Sequence, residues 1–256
     1  MTLDTVTIDL PAPGPLRLPG AALFLDLDGT LAPIAARPDD VRPDPRRTRL
    51  LERLGRALDG RLAVVSGRTL ADIDRILESK VDCVAAVHGL VLRGVGGEVL
   101  ATPPHPGLAE AVRRLRAFAA RDPGLLVEEK GASVALHYRL ARFEAADAQA
   151  LVRAIAADTG LTRQQGDMVE ELRTPGPTKG DSVRAFMQAA RFAGAAPIFV
   201  GDDATDEHGF EAARRLGGFG VLVGPPRETC ASFRLADVAA VIAWLEAAAQ
   251  GGSDPR

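Results

Sequence analysis

At 256 residues the chain exceeds a typical single domain, leaving one large domain or two smaller ones open. It is 46% hydrophobic and 25% charged, ordinary for a globular protein with ample core material, and its formal net charge is −3. That balance, without a long basic run, argues against nucleic-acid binding; with no run of roughly 20 apolar residues and no signal-peptide pattern, a cytoplasmic protein with no membrane partner is expected.

The chain opens with a proline-rich segment, Pro11, Pro13, Pro15 and Pro19, which reads as an extended lead-in over 1–20. Apolar runs then recur at Ala22–Leu25, Leu62–Val65, Val84–Val87, Ile198–Val200 and Val221–Val223. Their near-continuous apolar character suits strands buried on both faces of a parallel sheet. Helical patterns lie between several of them: Thr48–Leu58, Leu70–Leu77, Lys179–Phe192 and Asp206–Leu216. The alternation predicts an α/β, doubly wound parallel-sheet core.

The middle of the chain has another rhythm. Val91–Leu92 and Val99–Leu100 flank Gly96–Gly97 as in a hairpin. A helix is expected over Leu108–Ala120, strands at Leu125–Glu128 and Ser133–Tyr138 around Gly131, a helix over Glu144–Asp158, and a strand near Met168–Leu172. This order predicts a small α+β unit over 104–175, inserted between core segments 1–103 and 176–256. The Arg-Arg pairs at 46–47, 113–114 and 214–215 read as solvated helix faces, and Cys83 and Cys230 as small hydrophobes without metal-ligand spacing.

Four short segments sit where core strands end, the place where open α/β sheets bind ligands. Asp26-Leu27-Asp28-Gly29 presents two carboxylates at i and i+2, expected on one side of an extended chain. Such a pair needs a cation or a shared proton, and Mg²⁺ is the natural hard partner for oxygen ligands. One carboxylate can attack phosphorus while the other serves as acid and then base. Ser66-Gly67-Arg68 offers a hydroxyl that is either a phosphate donor or an ordinary helix cap. Lys179-Gly180 opens a helix, and Gly201-Asp202-Asp203-Ala204-Thr205-Asp206 sets three aspartates within five positions, to hold metal or to cap.

These four segments, in order, resemble the haloacid dehalogenase-like (HAD) phosphatase superfamily. The resemblance implies Asp26 as nucleophile, Asp28 as general acid/base, and Ser66 and Lys179 as phosphate ligands. It further implies Mg²⁺ held by Asp26, Asp202 and the backbone carbonyl of Asp28, with Asp203 and Asp206 supporting from behind. The inserted unit resembles the superfamily's cap, which closes over substrate.

Longer matches are similar to trehalose-6-phosphate phosphatases: Ser66 to Asp72, His88-Gly89, Glu128-Glu129-Lys130 with His137-Tyr138-Arg139, and Glu171-Leu172-Arg173. They imply a small-molecule sugar phosphate as substrate, contacted by Arg68, His88, Glu128, Lys130 and Glu171, and functional coupling to a trehalose-phosphate synthase. Val91 departs from the acidic residue the family often carries there. The alternatives are sucrose phosphate or mannosyl-3-phosphoglycerate as substrate, a mutase resembling phosphomannomutases, and a catalytically silent partner module of trehalose synthesis.

Overall fold

The computed structural model describes residues 9–251. The lead-in is irregular from Asp9 to a turn at Pro19–Gly20, and the part of it at 1–8 lies outside the described residues.

The first half of the core contains β1 (Ala21–Leu25), α1 (Pro45–Ala57), β2 (Leu62–Val65), α2 (Leu70–Leu77) and β3 (Cys83–Ala86). The hairpin β4 (Val91–Arg93) and β5 (Val99–Ala101) follows. The inserted elements are α3 (Leu108–Ala119), β6 (Leu126–Glu129), β7 (Ser133–His137), α4 (Ala145–Thr159), β8 (Thr162–Gly166) and β9 (Val169–Arg173). The core resumes with α5 (Lys179–Gln188), β10 (Ala196–Gly201), α6 (Glu207–Arg215), β11 (Phe219–Val223), β12 (Phe233–Leu235) and α7 (Val238–Gly251).

Strands order as β12-β11-β10-β1-β2-β3-β4-β5 in one sheet, parallel except at the β4 and β5 edge. Both faces are covered, and alternate β1 residues show why. Leu23 and Leu25 join a core with Leu50, Leu54, Ile73, Val241 and Leu245, from α1, α2 and α7. Ala22 and Phe24 face the other way, toward Val183, Phe186, Phe199 and Phe210. Burying each large apolar side chain stabilises by about 1.5–3 kcal/mol, so a doubly covered strand needs an unbroken apolar run.

Helix starts follow local chemistry. The Asp44 carboxylate accepts from the Arg46 amide ahead of Pro45, and Thr69 accepts from the Asp72 amide at α2. Thr178 and Asp181 form a reciprocal capping box at α5, holding Lys179 as the first helical residue.

The inserted unit is an antiparallel sheet, β6-β7-β9-β8, backed by α3 and α4. Val134, Leu136 and Tyr138 share the helix-facing side, as the alternation predicts, with Leu115, Phe118, Val152 and Ile155. Glu128, His137 and Glu171 line a cleft against the carboxyl ends of the core strands.

Some elements differ from expectation. Strand β8, Thr-Arg-Gln-Gln-Gly, has no apolar residue and is held by its ladder to β9. Val87 leaves the strand and enters the left-handed region with His88. The helix expected to Phe192 ends at Gln188 and gives way to a short 3₁₀ turn.

Helix α5 packs on α6 through Gly180, where a Cβ would lie 2.4 Å from the His208 carbonyl oxygen. Gly180→Ala must therefore push the two helices apart, with an expected loss of about 1–3 kcal/mol in urea unfolding. An unchanged midpoint would show that the helices part there freely.

Candidate active site

Parallel topology brings the four segments together. Strands β10, β1, β2 and β3 are neighbours, so Asp202, Asp26, Ser66 and His88 all emerge from the same edge of the sheet. They line one cleft, open at its mouth, with Asp28, Arg68 and Lys179 below and Glu128, Lys130 and Glu171 above.

At the floor, Asp26, Lys179 and Asp206 are almost fully buried. The Lys179 ammonium lies 3.0 Å from Asp26 Oδ1, 2.7 Å from Asp206 Oδ1 and 3.9 Å from Asp203 Oδ1. Burial alone would lower its pKa, but Asp206 and Asp26 outweigh that and hold it well above the ordinary lysine range. Its one positive charge meets four aspartates. Burial, reinforced by Asp202, Asp203 and Asp28, therefore drives Asp26 well above the usual carboxylate range despite Lys179. Burial together with Asp206 and Asp203 pushes Asp202 up to about 8.

Carboxylate oxygens of Asp26, Asp202 and Asp206 all lie within 4.8 Å of one another. Uncompensated, close-set and all oxygen, this donor set fits a hard divalent cation. Asp206, expected in a supporting place, is well occupied. Besides Lys179, it accepts from the Asp202 and Asp203 amides at 2.9 and 3.0 Å. Asp203 takes the capping alternative, accepting from the Thr205 and Asp206 amides. Gly29 is required here, because a Cβ would lie 2.1 Å from Asp202 Oδ2 and its φ is +78°.

Ser66 does not cap α2; Thr69 does that, so the buried Ser66 hydroxyl remains at the cleft. Asp28 turns away from the carboxylate cluster onto Arg68, in a fork of 2.6 and 2.8 Å. Such charge-assisted pairing fixes a carboxylate firmly. Arg68 also donates to the Pro38 carbonyl at 2.9 Å.

The roof is a second charge cluster. Lys130 Nζ lies 2.9 Å from Glu171 and 3.7 Å from Glu128, whose other partner is His137 at 2.8 Å. Burial would raise Glu171, but Lys130 and His88 together hold it well below the usual range. His88 reaches up from the core to Glu171 at 3.4 Å, and burial lowers its pKa despite that carboxylate.

The family model described as Trehalose-phosphatase matches residues 24–239, which takes in all of these groups. The chain belongs to the trehalose-phosphatase family. It is similar to the trehalose-6-phosphate phosphatase of Escherichia coli, 39% identical over 227 residues, 88% of this chain and 85% of that protein. A bifunctional trehalose-6-phosphate synthase/phosphatase of Thermoproteus tenax is 35% identical over 88% of this chain and 31% of its own length. Among solved structures, a trehalose-6-phosphate phosphatase related protein superposes with a TM-score of 0.75 at 28% identity, covering 90% of this chain and 97% of that one.

This member of the trehalose-phosphatase family is thus a phosphatase with the α/β fold of the HAD superfamily. The cleft also holds residues to which the sequence reading gave no role. Arg139 bridges the two sheets' units, donating to the Ala35 carbonyl at 2.6 Å and the Asp167 carbonyl at 2.6 Å. Its place beside His137-Tyr138 was the one available signal. Gln164 and Asp167 also line the cleft, from the polar β8 and the turn after it.

Because Asp202 sits near 8, a divalent cation binding at pH 7 is expected to displace protons from the cluster. Calorimetry in two buffers of different ionisation enthalpy reads this directly. Cation binding with no buffer dependence would show Asp202 already ionised.

Proposed function

We propose that this phosphatase hydrolyses trehalose 6-phosphate in an Mg²⁺-dependent reaction through an aspartyl-phosphate on Asp26. The observation that carries the reading is the buried Asp26 between Lys179 and two further aspartates, beneath a roof bearing Glu128, Lys130 and Glu171. An uncharged disaccharide offers hydroxyls to hold, and charge-assisted hydrogen bonds from such a roof hold them efficiently. The names of the relatives support the same substrate.

In this reading an Asp26 oxygen attacks phosphorus and the bond from phosphorus to the sugar oxygen breaks. Asp28, released from Arg68 and protonated from solvent, gives that proton to the departing oxygen. Asp28 then takes a proton from water, whose oxygen attacks the phosphorus of the aspartyl-phosphate. Inorganic phosphate leaves and the Asp26 carboxylate is restored. Lys179 and the Ser66 hydroxyl would hold phosphate oxygens throughout. Mg²⁺ would be held by Asp26, Asp202 and the Asp28 carbonyl, and would neutralise charge on the phosphate. Arg68 and His88 complete the set proposed to contact substrate, with Asp203 and Asp206 behind the metal ligands.

Residues 104–175 act as the cap and carry selectivity for the sugar; 1–103 and 176–256 form the catalytic core. Closure would exclude water during formation of the phosphoenzyme. The fused relative supports functional coupling to a trehalose-phosphate synthase, for which a cytoplasmic place is proposed. Among the described residues, no helix is long and apolar enough to cross a membrane.

Phosphate release from trehalose 6-phosphate, beside sucrose 6-phosphate, mannosyl-3-phosphoglycerate and glucose 6-phosphate, tests the substrate. Strong preference for trehalose 6-phosphate, lost in chelator and restored by Mg²⁺, is expected. Release from another sugar phosphate alone would discard the substrate and keep the chemistry.

Asp26→Asn should lower kcat by at least about 10³-fold with an unchanged melting temperature, since an amide is not a phosphorus nucleophile. Retention of more than a few per cent of turnover would move the nucleophile elsewhere.

A further inference from the structure

The register of the small sheet sets four residues in one lateral row. Glu128 on β6 pairs with Ala135 on β7, Ala135 with Glu171 on β9, and Glu171 with Gln164 on β8. Directly opposed residues of antiparallel strands share a face, so Gln164 stands on the side that Glu128 and Glu171 turn to the cleft. It lines the cleft beside them and is partly buried.

Its charged neighbours are each paired, although Glu171 Oε1 is buried without a hydrogen-bond partner. Glu171 meets Lys130 and His88, Glu128 meets His137, and Arg163 on the same strand is forked onto Glu170 and reaches Gln165. The Gln164 amide, by contrast, has no side-chain hydrogen bond among the described residues, although the cleft is where it sits. Strand β8 also packs against the Ala204–Asp206 turn, so this end of the row comes down beside the aspartate cluster.

The chemistry of that position is specific. A carboxylate accepts hydrogen bonds and cannot donate them, whereas a carboxamide does both. Each sugar hydroxyl also does both. A third carboxylate in the row would face a bound phosphate and the aspartates, with repulsion from each. A neutral amide avoids that repulsion while still giving two adjacent hydroxyls a donor and an acceptor.

We infer that Gln164 is a specificity-determining residue that hydrogen-bonds the sugar, completing the row begun by Glu128 and Glu171. The inference rests on the sugar-phosphate reading above and adds a residue that no motif supplied.

The test uses the full-length enzyme with Mg²⁺ and the variants Gln164→Ala and Gln164→Glu. Steady-state kinetics are measured on trehalose 6-phosphate and on an aryl phosphate, with product inhibition by trehalose and by inorganic phosphate. Both variants should lose about tenfold more kcat/KM on trehalose 6-phosphate than on the aryl phosphate, mainly through KM. Inhibition by trehalose should weaken by a similar factor relative to inhibition by phosphate. Equal losses on both substrates would mean that Gln164 seats the roof on the aspartate turn, and the inference fails. No change on the sugar substrate would make it a bystander, with the same consequence. If the wild-type enzyme prefers another sugar phosphate, the substrate proposed above is wrong. The same comparison with that substrate then decides the role of Gln164 independently.

Discussion

Everything at the floor of the cleft depends on one buried ammonium set against too much negative charge. Lys179 balances one carboxylate, while Asp26, Asp202, Asp203 and Asp206 bring four. Removing ions from water is expensive unless they are paired and hydrogen-bonded. The backbone answers part of that demand. Asp206 accepts two main-chain amides, and Asp203 caps the turn that carries it. Glycine does the spatial work: at Gly201 a Cβ would lie 2.2 Å from Asp206 Cγ, as at Gly29 it would strike Asp202. The remainder of the imbalance is the negative charge that a bound cation would balance.

The roof is built on the opposite balance. Lys130 lies between two carboxylates, and His88 and His137 complete their partners, so the charges there are largely settled within the protein. A settled network can hold fixed positions for hydroxyls without drawing a metal of its own. His88 joins roof to floor at the expense of backbone comfort, for Val87 and His88 both have positive φ, 49° and 57°. Residues held this way store about 1–3 kcal/mol each. Gly67 makes room for the ring, since a Cβ would sit 2.4 Å from His88 Nε2.

Much of this was legible from the chain. Buried parallel strands announce themselves as apolar runs, and the aspartates, Ser66 and Lys179 fall directly after or before them. Reading failed where local pattern carries little. Strand β8 shows no periodicity because one of its faces points into a polar cleft, and its identity lies in the ladder to β9. Val87 reads as strand by composition, yet it turns where the Val87 and His88 amides donate to the Arg68 and Ser66 carbonyls and His88 approaches Glu171. The supporting place of Asp206 came from the resemblance alone, and the fold sets its carboxylate beside Lys179 and the Asp202 and Asp203 amides.

The two aspartates of the first segment show how position becomes role. Two residues apart, they would lie side by side on an extended chain, but β1 ends at Leu25. The chain then tightens: the Leu27 carbonyl accepts from the Leu31 and Ala32 amides, and Gly29 takes a positive φ. Asp26 stays under the sheet edge, buried against Lys179, while Asp28 swings outward to Arg68 and remains partly exposed. Environments that differ this much set two chemically identical groups apart, which is what the proposed division of labour between them would need. A buried carboxylate beside a lysine suits the nucleophile's part proposed for Asp26. One held by a fork at the cleft wall could change partners, as the proton carrier's part proposed for Asp28 would require.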